Sequence, residues 1–344
     1  MKPASKTRDR LDKLQQLLKT KTRLLIIMQD NPDPDSIAAA VALRKIANTF
    51  DNIQCTIAHG GTVGRAENRA LVRYLGLNLH QLAEIEFGKF DCIAMVDAQP
   101  AAGNCSLPAD VTPDIVIDHH PLRAAARAAK LIDIRSKYGS TSTILLEYLV
   151  QAWIEPDIQL ATALFYGIRS DTQDLGRQAT RQDSEAVAYL FPIANKRMLS
   201  EIERGEVPRV YFQMLDEALR NAKKYEHAIT TSLGQIDNPD MIAEVADLLL
   251  REEETYWTMC HGISGGKLFI SVRTMKEDAR ADKVIHRVVA GKGTGGGHPA
   301  YAGGQIPLIK GTKSEQAGLE KLVLKRFLKA IGADSQQWQK LIPN

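Results

Sequence analysis

A chain of 344 residues, 44% hydrophobic and 25% charged, can bury a sizeable core and is long enough for two domains. Its formal net charge of +3 excludes a whole-molecule field that holds a long polyanion against physiological salt, so long-duplex binding is not expected. Four dispersed cysteines, Cys55, Cys92, Cys105 and Cys260, form no C-x-x-C pair, which argues against a zinc site or a disulfide framework and for reduced thiols.

The N-terminal run from Met1 to Arg8 has charged residues where a signal peptide has its apolar segment, and no apolar stretch approaches membrane-spanning length. A cytoplasmic location and no membrane partner are therefore expected. Residues 1–23 carry eight Lys or Arg, yet Leu11, Leu14, Leu17 and Leu18 recur at helical spacing, so a docked amphipathic helix is preferred to a basic nucleic-acid arm.

From Arg23 short apolar strands alternate with helical stretches: 24–28, then a helix over 36–47; 53–58; 92–96; 115–117. This alternation predicts an α/β fold with a mostly parallel sheet, whose strand carboxyl ends carry ligands. Helices follow over 140–148, 158–166 and 181–189, the last capped by Thr180. After Pro192 the pattern becomes charged and helical, interrupted by Gly205 and Pro208. A helical connection is placed at 195–226, between a first domain over 1–194 and a second over 227–344. The second reads as strand 228–233, helix 240–250, strands near 255–262 and 267–273, helix 279–290, a glycine-rich loop over 291–304, strand 304–309 and helix 314–331.

Four strand-end or helix-end constellations carry chemistry. In Gln29-Asp30-Asn31-Pro32-Asp33-Pro34-Asp35-Ser36 two acids lie two apart on a proline-stiffened turn, although Asp33, Asp35 and Ser36 are equally good helix caps. Asp97 follows the run 92–96; Asp118-His119-His120 follows 115–117; Asp171 follows the helical run 161–166. Imidazoles bind transition metals and a neighbouring carboxylate can orient their second nitrogen. Four acids and a histidine without thiolate suit two Mn²⁺, or Mg²⁺, sharing one carboxylate. Two such ions roughly 3.5–4 Å apart would generate hydroxide and stabilise both the attacking and the leaving oxygen at phosphorus. Further along, Gly295-Gly296-Gly297-His298 could bring backbone N–H groups and an imidazole to an anion, with Arg273 on a nearby strand. Ser140 to Thr143 could hold phosphate or only cap a helix, and Arg65 could reach the site's rim or only connect two elements.

Asp33-x-Asp35, Asp97, Asp118-His119-His120 and Asp171, in this order, resemble the four motifs of the DHH phosphoesterase superfamily, and Gly295 to Gly304 resembles the GGGH signature of the DHHA1 domain. The resemblance, nearest to the nano-RNase and oligoribonuclease-like branch, implies a parallel-sheet DHH domain with flanking helices and a smaller α/β DHHA1 domain across a cleft. It implies that Asp33 and Asp97 bind one metal, and Asp35, Asp97, His119 and Asp171 the other. Asp97 would bridge, His120 face the scissile phosphate and Asp118 orient the histidine pair. Arg273, Gly296, Gly297 and His298 would contact substrate. The sequence departs at Gln29, where the family usually has histidine; Gln29 is a weaker, neutral candidate ligand, and His59 a substitute by position only, with a solvated loop histidine preferred. The implied activity is Mn²⁺-dependent phosphodiester hydrolysis of short oligoribonucleotides or linear dinucleotides, pGpG or pApA, to nucleoside monophosphates, by a chain that resemblance suggests is a homodimer. A 3',5'-bisphosphate nucleotide phosphatase, a single-strand exonuclease and a non-catalytic nucleotide-binding regulator stay open as alternatives.

Overall fold

The computed structural model describes residues 3–50, 52–176, 178–334 and 337–343. Met1 and Lys2 of the N-terminal run lie outside them. The chain divides into two compact units, Met1–Glu206 and Val207–Asn344.

The first unit runs α1 (Thr7–Leu18), β1 (Arg23–Ile27), α2 (Pro34–Ala47), β2 (Gln54–His59), α3 (Ala66–Tyr74), β3 (Leu79–Gln81), β4 (Cys92–Val96), β5 (Ile115–Asp118), β6 (Leu131–Ile134), α4 (Thr141–Gln151), α5 (Ile158–Asp171), α6 (Arg181–Leu190) and α7 (Lys196–Glu203). Its six strands are all parallel, in the order β3-β2-β1-β4-β5-β6. Strands β1 and β4 read as unbroken apolar runs because both sheet faces are covered. Leu24 and Ile26 join the core that includes α2, α4 and α5, whereas Leu25 and Ile27 pack in the core on the other face. The expected N-terminal helix docks as an amphipathic helix, burying Leu11, Leu14 and Leu18, each contributing roughly 1.5–3 kcal/mol. Two short strands, β3 and β6, are absent from the sequence-based expectations.

Strand order reverses between β1 and β4, and ligands of open α/β sheets bind outside the strand carboxyl ends at such a switch point. The turn after β1 starts α2 with Asp33 as N-cap and Pro34 in the first turn, where a missing N–H costs nothing. Helix α2 is alanine-rich and buried nearly all round, which lets α4 and α5 press closely upon it. At the tightest approach stands Gly167 of α5, where a Cβ would lie 2.8 Å from Ser142 Oγ and 3.1 Å from the Asp35 Cα. Any side chain there would push α5 off the start of α2.

The second unit comprises α8 (Arg209–Asn221), β7 (Lys223–Tyr225), β8 (Ala228–Gln235), α9 (Asp240–Leu249), β9 (Trp257–Ser264), β10 (Lys267–Thr274), α10 (Ala281–Val289), β11 (Thr294–Gly297), β12 (Tyr301–Pro307), α11 (Lys313–Ile331) and β13 (Gln339–Lys340). They build a seven-stranded sheet, β11-β12-β10-β9-β8-β7-β13, antiparallel except for β8 and β9. The glycine-rich stretch expected as a loop is largely an edge hairpin, with β11 paired to β12 through Gly295↔Gly304 and Gly296↔Gly303. Glycine disfavours strands on its own, but a Cβ at Gly295 or Gly304 would press on Ile285 of α10. The missing side chains let that helix lie flat on the sheet.

Candidate metal centre

The turn after β1 folds on itself before it offers anything to a ligand. The Asp33 Oδ1 accepts from the Ser36 N–H at 2.9 Å, and the Ser36 hydroxyl accepts from the Asp33 N–H at 3.0 Å. The other Asp33 oxygen accepts from the Gln29 amide at 2.9 Å, and the Gln29 carbonyl accepts from Asn104 at 3.3 Å. Asp33 is thus both cap and candidate ligand, the two readings the sequence left open. Behind the turn Asp30 is held by the Ser106 N–H and hydroxyl at 2.7 and 2.6 Å. Gly61 packs on its backbone, where a Cβ would stand 2.6 Å from the Asp30 carbonyl oxygen.

Asp35 points across to α4. Its oxygens accept from the Thr141 and Ser142 N–H groups, each at 2.7 Å, so the positive helix terminus holds a buried carboxylate. This corrects the phosphate alternative for Ser140 to Thr143: Ser140 caps the helix through the Thr143 N–H, and the Thr141 and Ser142 N–H groups are spent on Asp35. Asp97 follows β4 in the left-handed region, at φ +55°, which Asp tolerates better than most residues. Its N–H binds the Ile117 carbonyl at 3.0 Å, and its Oδ1 accepts from the Thr141 hydroxyl at 2.9 Å.

The turn after β5 sets two imidazoles. Asp118 accepts from the His120 N–H at 3.1 Å and lies 2.8 Å from His120 Nδ1, so it orients that ring. Asp118 is itself gripped by Gln99, whose amide donates to Oδ2 at 2.7 Å while its carbonyl takes the Arg123 N–H at 2.7 Å. His119 Nδ1 meets the Tyr138 carbonyl at 3.2 Å; a carbonyl only accepts, so this nitrogen carries a proton and Nε2 is the one turned to the acids. That Nε2 lies 3.0 Å from Asp171 Oδ2 and 3.5 Å from Asp97 Oδ1, buried, without hydrogen-bond geometry to any described residue.

Ligand atoms of Asp35, His119 and Asp171 all lie within 4.8 Å of one another, as do those of Asp97, Asp118, His119 and His120. Burial pushes the Asp35 carboxyl up to about 7, helped by the neighbouring charges of Asp171 and Asp33. Burial followed by the charges of Asp35 and Asp33 pushes Asp97 well up, and burial with the Asp171 charge raises Asp33. Burial alone would raise Asp118 too, but the His120 hydrogen bond and both imidazole charges outweigh it and hold the carboxyl low. Burial would lower His119, but the Asp171 charge and its other acidic neighbours raise it well above its ordinary value. Three crowded carboxylates around an imidazole fit a divalent cation, which would relieve the repulsion and replace the proton that the acids hold on the ring.

His59 is not the solvated loop histidine expected above. It is buried, with Nδ1 3.3 Å from the Asp30 carbonyl, and burial lowers its pKa. Arg65 pairs with Glu67 at 3.6 Å. Gln99, Thr141, Ser142, Gly167 and Tyr138, which build the surroundings of the donors, were not singled out for these roles from sequence. Only the polar run opening α4 gave a signal, and of its two readings, phosphate or cap, Ser140 makes the cap.

In the second unit Arg273 donates to Asp247 at 2.5 Å, and its guanidinium lies 5.6 Å from the Tyr301 ring centre. The His298 ring packs 4.7 Å from the same tyrosine ring, and the His298 backbone N–H donates to the Tyr301 carbonyl at 2.7 Å. Tyr301 therefore gathers the two expected substrate contacts. Gly297 adopts φ +149° and has the Ala302 Cα 2.5 Å from where a Cβ would stand, so only glycine fits. Gly296 faces open space.

A parallel sheet with carboxylates and imidazoles converging at its switch point defines an α/β protein built to hold divalent cations. The chain belongs to the DHH superfamily: residues 23–168 match the DHH family, N-terminal domain, and residues 226–332 match the DHHA1 domain. An uncharacterized protein of Methanocaldococcus jannaschii is 35% identical over 92% of this chain, which spans 66% of that relative's length. A probable manganese-dependent inorganic pyrophosphatase of Staphylococcus saprophyticus is 24% identical over 76% of this chain and 84% of its own. An exopolyphosphatase-related protein from Bacteroides fragilis shares the fold, with TM-score 0.73 at 15% identity over 94% of this chain and 98% of that one. RecJ in complex with Mn²⁺ from Thermus thermophilus aligns with TM-score 0.53 at 14% identity, over 94% of this chain and 55% of that one.

Proposed function

We propose that this protein is a divalent-metal-dependent phosphodiesterase that hydrolyses short RNA or linear dinucleotides, such as pGpG or pApA, to nucleoside monophosphates. The observation that carries the metal-dependent part is the convergence of Asp35, His119 and Asp171, whose ligand atoms all lie within 4.8 Å of one another, with Asp97 Oδ1 3.5 Å from the same His119 nitrogen. Asp35, Asp97, His119 and Asp171 would hold one ion, and Asp33 with Asp97 the other, with Mn²⁺ favoured by the mix of carboxylate and imidazole. Bound there, such ions would supply hydroxide at neutral pH and charge stabilisation at phosphorus. Asp118 fixes the His120 ring so that its other nitrogen meets the scissile phosphate. Arg273, Gly296, Gly297 and His298 take the terminal phosphate and base, and the small net charge suits a short substrate better than a long strand.

Gln29 makes the two metal positions unequal. It offers a neutral amide where the family's imidazole stands, and it occupies one Asp33 oxygen. One tight and one weak Mn²⁺ site are expected by titration calorimetry. A Mn²⁺ activity panel over pGpG, pApA, RNAs of increasing length, 3',5'-bisphosphate adenosine and inorganic pyrophosphate tests the substrate. Mononucleotide release from dinucleotides is the expected result. Free phosphate from the bisphosphate or from pyrophosphate alone would make the protein a phosphatase, and dinucleotide binding without Mn²⁺-stimulated turnover would make it a regulator.

A further inference from the structure

Behind the DHH turn, away from the ligand atoms, lies a buried ion cluster that the mechanism does not use. The Arg135 guanidinium donates to both Asp133 oxygens at 2.8–3.2 Å and to Glu147 Oε2 at 2.6 Å. Asp133 and Glu147 have no exposed surface. One guanidinium against two carboxylates would leave a buried negative charge, which is costly. Helix α1 closes the imbalance. Its Arg10 pairs with Asp133, its Thr7 hydroxyl donates to Glu147 Oε2 at 2.6 Å and accepts from Arg135 at 3.0 Å, and the Ala4 N–H ahead of it binds the same Glu147 oxygen at 3.1 Å.

The cluster leads back to the metal centre through one residue. The Tyr138 hydroxyl donates to Glu147 Oε1 at 2.9 Å and accepts from Arg135 at 3.3 Å, and the guanidinium lies 5.1 Å from its ring centre. The Arg135 N–H binds the Asp118 carbonyl at 2.9 Å, and the Tyr138 N–H binds the Arg135 carbonyl at 2.9 Å. Tyr138 then presents its carbonyl to His119 Nδ1, and two residues later the chain caps α4, whose first N–H groups hold Asp35. We propose that α1 is a positioning element of the metal centre: Thr7 and Arg10 complete the ion cluster that fixes Tyr138, and the Tyr138 carbonyl fixes the ring and tautomer of His119. Thr7, Arg10, Arg135, Tyr138 and Glu147 are positioning residues, since none of them offers a ligand atom.

This inference rests on the metal reading of the centre, and its test reads metal binding by the free protein, without substrate. Hydrogen-bonding partners behind a metal-bound histidine typically change affinity about 10–100-fold. For one step further out, Thr7→Val is expected to weaken the tight Mn²⁺ site about 10-fold by titration calorimetry, with Thr7→Ser close to the parent. KM at saturating Mn²⁺ should stay unchanged. Leu82→Ala opens a cavity in the core on the opposite sheet face; it should lower Tm at least as much and leave Mn²⁺ affinity intact. Parent affinity in Thr7→Val, or an equal loss in Leu82→Ala, overturns the proposal. Should Thr7→Val fail to fold, Arg10→Gln, whose side chain is 29% exposed, gives the same reading with a loss of about 3-fold expected and none overturning it. A parent protein that binds no Mn²⁺ would remove the metal reading itself, an outcome distinct from retained binding in the variants.

Discussion

The two units carry their polar chemistry in opposite ways. In the first, acids are buried against one another, and burial and mutual charge raise Asp33, Asp35 and Asp97. In the second, Arg273 and His298 gather round the half-buried Tyr301, with Arg273 neutralised by Asp247. The first site is electrostatically strained until a cation arrives; the second is satisfied as it stands. Substitution in the first should therefore cost activity while sparing or raising the stability of the metal-free fold, whereas substitution in the second should cost substrate affinity alone.

The sharpest break of this comparison is Asp97→Asn. Asparagine keeps the volume and tolerates the left-handed backbone, but it cannot bridge two cations. Mn²⁺-dependent turnover of pGpG should fall at least about 1,000-fold, a loss of more than about 4 kcal/mol of transition-state stabilisation. The metal-free Tm should stay level or rise, because a buried repelling carboxylate is gone. Retained turnover would sink the bridging role, and a sharply lowered metal-free Tm would deny the strain.

Gln99→Leu comes next. It keeps the side chain's bulk but releases Asp118, and through it the His120 ring, so kcat should drop about 10–100-fold with little change in KM. A change in KM alone would show that Gln99 acts on substrate instead. In the second unit, His298→Ala should raise KM about 10-fold and leave the Mn²⁺ dissociation constant alone. Equal loss of metal affinity would erase the contrast between the units.

The candidate donors Asp97, Asp118, His119 and His120 stand out because they end or follow apolar strands, where ligands of α/β sheets gather; Asp33, Asp35 and Asp171, in a turn and at helix ends, join them through the DHH resemblance. What holds the donors does not stand out. Asp35 meets Thr141 and Ser142 more than a hundred residues away, and His119 is oriented by a backbone carbonyl, a group that every residue carries and no sequence marks. Gly167 looked like any helical glycine until α2 was placed against it. The glycine run was read as a loop because glycine's own preference argues against a strand. Pairing with the return strand β12 and the seat for Ile285 on the preceding helix override that preference, and both are tertiary contacts that glycine's own preference does not register.

The smallest expected effect tests the contrast in the pH dependence of stability. His261 of β9 is buried, and burial alone pushes its pKa down to about 4. Unfolded, it would titrate near 6.5, so between these values the unfolded chain binds the extra proton. Its contribution is complete above about pH 6.5 and is lost as pH falls toward 4, with a ceiling of about 3 kcal/mol and roughly 1–2 kcal/mol expected after relaxation. Glu320, 3.8 Å away, works in the other direction: burial raises its carboxyl, so the folded state there gains from acidification and blunts the slope. His261→Leu removes the first contribution and leaves the second. Hydrogen exchange of the β9 amides in the full chain should therefore speed up on going from pH 7 to 5 in the parent, after correction for intrinsic rates. It should speed up less in His261→Leu, and an equal response in both would show that the histidine finds a partner for its proton as the unit acidifies.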